Sequence, residues 1–504
     1  MKKLLLSLSL LAAATGIFAG TAAAGNTAAA GTVAAVAAPA YGSADYPAYI
    51  ARRAEELKSL RWGMFICWSF STFSGHEWTY HVKDVSFFRA TGVDTDQWAR
   101  TAKEAGMGYI LFLTKHHDGF CLWDTATTDR KVTRAPLGRD VLRELRASCD
   151  KYGIKLALYF SEGEFVRDGW PAAKGGHRVH SGTNPEVKKA QLRELLTQYG
   201  PIEYIWFDHA VGTGGLDHAA TAAFCKSLQP GCFIGYNHGD QSGADIRLGE
   251  MGRPGPLNDI TAAGPYATHG AGKTPPRHLL AEFTYPILPG HEGGAMWFYS
   301  LPRHDHLVRP VVALYKDYLG AVKYGNIFSL DVGPDYAGKL RAVDVATLRA
   351  VGDLIRHHAI LPAPASQGKP TTASSIWGKD NAAGAATDGI FDTRWGAART
   401  ATSGWLEVNL GTPKTIRRVV VDESTYPRTQ KFRVEYLADN AAAGAGQNAA
   451  GAGNENWKPV VTGGRIRAGY FDYELPAPVT ATRWRLVIES AAGTPSINEF
   501  ALYE

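Results

Sequence analysis

Between positions 62 and 358 the chain alternates short, unbroken apolar runs with longer segments in which apolar residues recur every three or four places. The runs at 64–68, 109–113, 155–160 and 204–207 read as strands buried on both faces, since a strand with one wet face would alternate apolar with polar residues. Segments 94–106, 138–153 and 184–200 read as helices, most with Asp or Asn near the start and each with Gly at the end. Further strands are expected at 233–236, at 246–249, at either 281–285 or 296–299, and at 326–332. Strand followed by helix, about eight times in succession, predicts an α/β fold of the (β/α)8 TIM-like barrel type over residues 48–362. No Gly-x-Gly-x-x-Gly opens the first helix, which counts against an open dinucleotide-binding sheet.

Beyond residue 363 the period changes. Short runs at 403–410, 416–421, 432–436, 483–488 and 499–503, without helical stretches between them, predict a separate all-β jelly-roll sandwich over 363–504. The insert 441–456, almost wholly Ala, Gly and Asn, has too little apolar bulk to pack and is expected to be a mobile loop. At the other end, Lys2 and Lys3, the apolar run 4–14 and Thr21-Ala22-Ala23-Ala24 have the layout of a secretory signal peptide over 1–24, followed by an Ala/Gly-rich linker over 25–47. That run is shorter than the roughly 20 residues of a spanning helix, and no later one reaches that length. Export to the periplasm or the medium is therefore expected, with no membrane span.

The 504 residues carry 53 basic and 48 acidic side chains, a formal charge of +5 that falls to +3 once Lys2 and Lys3 are removed. A near balance with no long basic run excludes nucleic-acid binding as a first reading. The cysteines are odd in number, Cys67, Cys121, Cys149, Cys225 and Cys232, and suit buried thiols better than a disulfide framework, with a Cys225–Cys232 bridge as the alternative.

In a barrel of this type the active site lies at the C-terminal ends of the strands. Thr114-Lys115-His116-His117-Asp118, Ser161-Glu162, Asp208-His209 and Arg247-Leu248-Gly249-Glu250 all end expected strands, and His76-Glu77-Trp78 follows the first. Asp208, directly after Tyr-Ile-Trp-Phe, sits where burial ends and suits a carboxylate nucleophile, although a helix N-cap or capped strand end explains an Asp there equally well. Adjacent histidines on a strand end point to opposite faces, so one of His116 and His117 is expected in the pocket and the other in the wall. No third ligand stands at a telling spacing, which favours hydrogen bonding to sugar hydroxyls over a metal. Trp68, Trp78, Trp123, Trp206 and Trp297 offer flat faces for sugar C–H surfaces, while a lone Trp is more often core. Paired carboxylates on an aromatic rim suggest retaining glycoside hydrolysis, which needs one ionised nucleophile and one protonated acid.

The stretch Phe-Leu-Thr-Lys-His-His-Asp-Gly-Phe-Cys-Leu-Trp at 112–123 closely resembles the TKHHDGFxLW signature of the α-L-fucosidases of glycoside hydrolase family twenty-nine. Trp62-Gly63-Met64-Phe65-Ile66, Glu77-Trp78, Trp206-Phe207-Asp208, Gly325-Asn326 and Val332-Gly333-Pro334 resemble the same family in the same order. The resemblance implies release of α-L-fucose from a fucosylated glycan with retention, without a catalytic cofactor. It implies Asp208 as nucleophile and Glu77, Trp78, His116, His117, Tyr159, Trp206, Arg247 and Trp297 as sugar-contacting residues. The acid/base comes from a variable loop region in that family; Glu250 is the first choice, Glu282 the second and Glu292 the third. Three departures bear on specificity: Cys67 stands where the family commonly has His, His209 where Gly is usual, and Asp331 in place of Asn. A related sugar such as α-L-galactose, or a lectin-like protein with a decayed barrel, are the competing readings. The C-terminal part is similar to discoidin-like (coagulation-factor type C) modules and to carbohydrate-binding module family thirty-two, in which Asp388, Asp392 and Glu499 resemble a structural Ca²⁺ site.

Overall fold

The structure, a computed structural model, describes residues 38–80, 82, 84–164, 185–210, 216–237, 242–252, 254, 278–291, 293–299, 301–390, 393–423, 428–438, 456–466 and 469–504. The signal peptide and most of the linker expected at the N-terminus, Glu292, Asp392 and nearly all of the 441–456 insert lie outside these residues.

Eight parallel strands close into a barrel in sequence order: β1 (Trp62–Ile66), β2 (Tyr109–Lys115), β3 (Lys155–Ser161), β4 (Tyr204–Asp208), β5 (Phe233–Tyr236), β6 (Ile246–Glu250), β7 (Leu280–Pro286) and β8 (Ile327–Asp331), with β8 pairing back onto β1. Of the two candidates for the seventh strand, 281–285 is the one that pairs; 296–299 forms a loop at the rim. All strand residues are buried except Lys155 and the partly exposed Glu250, which is why the runs are continuously apolar. The helices are α1 (Tyr46–Ser59), α2 (Phe70–Ser74), α3 (Thr95–Glu104), α4 (Val141–Tyr152), α5 (Pro185–Gln198), α6 (His218–Leu228), α7 (Val311–Tyr324) and α8 (Ala342–Arg356). The starts of α3, α4 and α6 are capped by Asp94, Asp140 and Asp217, whose carboxylates accept from backbone N–H groups three residues on at 2.7–2.9 Å. Gly153 ends α4 in the left-handed conformation, φ 66°, that a side chain would disfavour. Helix α1 begins at Tyr46, slightly before the expected barrel boundary at 48.

The C-terminal strands are β9 (Thr371–Ala373), β10 (Trp395–Gly396), β11 (Gly404–Asp422), β12 (Thr429–Leu437), β13 (Trp457–Gly463), β14 (Tyr470–Ala491), β15 (Ser496–Ile497) and β16 (Glu499–Tyr503). They form a six-stranded antiparallel sheet and a two-stranded one, and both feed a separate core around Trp395, Leu406, Phe432, Trp484, Ile497 and Phe500. The runs expected as two strands, 403–410 and 416–421, are halves of one 19-residue strand. Register shifts between Asn409 and Lys414 and between Ile416 and Arg418 let β11 bend while its ladder to β14 continues, so the apolar pattern breaks without the strand ending.

Candidate active site

Because the strands are parallel, the polar residues that end them share one rim, and there they line a cavity of about 530 Å³. Asp208 ends β4 and Glu250 ends β6. The residue after each is left-handed without being glycine, His209 at φ 44° and Met251 at φ 54°, so the chain turns sharply off both strands just past the carboxylates.

Three donors converge on Asp208. The Tyr159 hydroxyl donates to Oδ2 at 2.7 Å, while the His209 backbone N–H and Asn237 Nδ2 donate to Oδ1 at 2.8 and 3.1 Å. All suit an ionised carboxylate, which only accepts. Asn237 also donates to Glu250 Oε2 at 2.8 Å. A single nitrogen 3.1 Å from one carboxylate oxygen and 2.8 Å from the other caps their separation at about 6 Å. Burial, and after it the charge of Asp208, push the Glu250 carboxyl up to about 8, with the Asn237 hydrogen bond opposing. Glu250 therefore holds a proton at neutral pH.

His117 Nδ1 lies 2.7 Å from Ser161 Oγ, and Ser161 in turn donates to the Gly163 carbonyl at 2.9 Å. Ser161 has one proton to give, so it must accept from His117, which places a hydrogen on Nδ1 and directs Nε2 towards Asp208 Oδ2, 3.5 Å away. His116 is kept neutral, its value lowered to about 3 chiefly by burial. Its Nδ1 is buried without a hydrogen-bond partner among the described residues while the ring lines the cavity, ready for a hydroxyl. Both histidines thus reach the pocket, with ring centroids 4.0 Å apart. The expectation that they face apart fails because β2 ends at Lys115 and strand alternation stops before them.

Tyr159 stacks on Trp206 at 5.2 Å, and Phe65 lies 6.0 Å from Trp297, giving the cavity an aromatic wall that Trp78 extends. Glu77 takes the backbone N–H groups of Met296 and Trp297, so it holds the loop that carries Trp297; burial still pushes its carboxyl up to about 7. At the side of the cavity the Cys67 thiol meets the Asp331 carboxyl, two of the family departures in contact. Burial lifts both well above their ordinary ranges, so each keeps its proton.

Four expected residues fall elsewhere. Arg247 is out of phase with Leu248 and Glu250 on β6, so strand alternation turns it from the cavity, whose lining lacks it. Glu282, the second choice for acid/base, is wholly buried inside the barrel beneath Trp206 and does not line the cavity either. Trp68 and Trp123 are core residues whose indole N–H groups are spent on the Asp335 carbonyl and Glu194. Asn237 is the residue the sequence reading missed, although it follows the apolar run 233–236 as Asp208 follows its own.

A family model for alpha-L-fucosidases matches residues 35–359, and one for a NedA-like, galactose-binding domain matches 385–486. A rice protein with alpha-L-fucosidase 1 as its provisional name is 26% identical over 466 residues, covering 87% of this chain and 82% of its own length. Alpha-L-fucosidase 1 of Arabidopsis thaliana is 28% identical across 58% of this chain and 57% of its own. A solved Bacteroides thetaiotaomicron structure, also provisionally named an alpha-L-fucosidase, aligns with a TM-score of 0.48 at 24% identity over 90% of this chain and 96% of that one. With the family model spanning well over half its length, the chain belongs to the alpha-L-fucosidase family and carries a galactose-binding, discoidin-like domain behind the barrel.

Proposed function

We propose that the protein is an exported retaining α-L-fucosidase acting on fucosylated glycans, with Asp208 as nucleophile and Glu250 as acid/base. The observation that carries this reading is the shared Asn237 contact. It keeps Asp208 Oδ1 and Glu250 Oε2 within about 6 Å of one another, which suits the 5–5.5 Å of retaining glycosidases better than the 6.5 Å or more that leaves room for water in inverting ones. Asp208 attacks the anomeric carbon as Glu250 gives its proton to the leaving oxygen, and a fucosyl ester forms on Asp208. Esterification removes the charge that helped to raise Glu250, so its pKa falls and the carboxylate left after proton donation stays ionised, as the base for the incoming water must be. A functional acid/base beside the nucleophile speaks against a binding-only barrel.

The test is turnover of an aryl α-L-fucoside, with the aryl α-L-galactoside in parallel because Cys67 lines one side of the site with Asp331 buried behind it. Retention is read from the first-formed anomer by NMR. Asp208→Ala and Asp208→Asn should abolish turnover, and Glu250→Ala should lose activity on poor leaving groups and regain it with azide. Wild-type inactivity on both substrates, or full activity in the Asp208 variants, overturns the reading.

In the C-terminal domain Glu499 Oε1 and Asn498 Oδ1 are buried without hydrogen-bond partners among the described residues, and Asp388 is near enough to help push Glu499 up to about 8, after burial. Such an oxygen set fits a hard cation, and we propose that these residues hold a structural Ca²⁺.

A further inference from the structure

The His209 side chain has no part in the mechanism above, yet the residue occupies a costly backbone conformation beside the nucleophile. It brings a third donor to a pair that the rest of the site has already oriented. His117 Nε2 and Asp208 Oδ2 stand 3.5 Å apart. Two ligands each about 2.0–2.1 Å from a zinc ion at the tetrahedral angle would be about 3.4 Å apart. Ser161 accepts from His117 Nδ1, so Nε2 is the atom turned towards Asp208, and a hydrogen bond of this kind behind a ligand imidazole is a usual feature of metal sites. The His209 ring packs edge-on against His117 at 4.2 Å, and one ligand atom from each of His117, Asp208 and His209 lies within 4.8 Å of the others. All three residues line the cavity, so a fourth position opens onto solvent.

We propose that His117, Asp208 and His209 form a three-ligand site for a borderline divalent ion of the Zn²⁺ class, completed by water from the cavity. Two imidazoles and one carboxylate select such an ion over Mg²⁺ or Ca²⁺, which prefer all-oxygen shells. The ion would sit on the carboxylate that the proposed reaction needs free, so metal and sugar exclude one another.

The test is calorimetric titration of the purified full chain with Zn²⁺ at neutral pH, followed by the visible spectrum with Co²⁺. His209→Gly, which suits the left-handed backbone, and His117→Gln are measured beside the wild type, with thermal melts to confirm folding. The expected result is a wild-type site that binds Zn²⁺ at least tenfold more tightly than either variant, with a four-coordinate Co²⁺ spectrum in the wild type alone and no competition from Mg²⁺. Equal affinity in all three proteins, or no Zn²⁺ binding by the folded wild type, overturns the proposal. A wild type that turns over no fucoside would remove the functional reading while leaving this binding result to be judged alone.

Discussion

Glu282→Gln separates two roles for a buried acid. Glu282 is enclosed by the barrel, 3.3 Å from Trp206 Nε1, and burial pushes its carboxyl up to about 7 from an ordinary 4.5 despite hydrogen bonds from Ser329 and Trp206. A folded value above the unfolded one means that ionisation favours the unfolded chain. Stability is then complete below about pH 4.5 and declines as pH rises towards and through 7. At about 1.4 kcal/mol per pH unit, the difference amounts to about 3 kcal/mol by pH 8. Gln keeps the shape and an acceptor for Trp206 and never ionises. The variant should therefore match the wild type within about 1 kcal/mol at pH 4.5 and exceed it by about 2–3 kcal/mol at pH 8, measured by urea unfolding followed through tryptophan fluorescence. Comparing the two proteins at each pH cancels the other buried acids. A gap that does not widen with pH would refute the burial argument. Aryl-fucoside turnover in the same variant should persist; its loss would return Glu282 to the acid/base role.

Asn237→Ala removes the donor shared by Asp208 and Glu250, and kcat/KM should fall by about 10–100-fold with the melting temperature little changed. The wild-type kcat/KM profile should fall on its basic side near pH 8, where Glu250 gives up its proton; a fall near 5 would contradict the burial and charge that raise it. Chelation by EDTA should lower the melting temperature of the C-terminal domain and leave initial fucoside rates intact, and Glu499→Gln should abolish the shift; an unchanged melt would remove the Ca²⁺ proposal.

The barrel was legible because its strands are wholly buried: a run such as 204–207 has no polar interruption, and the residue after it stands out as the place where burial ends. That rule found Asp208 and Glu250. Applied to 233–236 it would also have found Asn237, but an amide draws less notice than a charge. Side-chain direction was less legible. Arg247 shares β6 with Glu250, but strand alternation turns the two apart, and the two histidines lie together because a turn replaces the strand. The contact of Cys67 with Asp331 was hidden for another reason: strands β1 and β8 are the first and last of the barrel, so the pairing of Phe65 with Asp331 exists only once it closes. In the C-terminal domain, bulges in β11 gave one strand the pattern of two.

The five cysteines are all buried and unpaired. No covalent cross-link then enters the folding of barrel or sheet, and neither depends on an oxidant or a thiol-exchange catalyst to reach its native arrangement. Synthesis in a reducing compartment should yield the same fold as synthesis in an oxidising one. The protein's durability would rest on non-covalent contacts, with no disulfide to reduce.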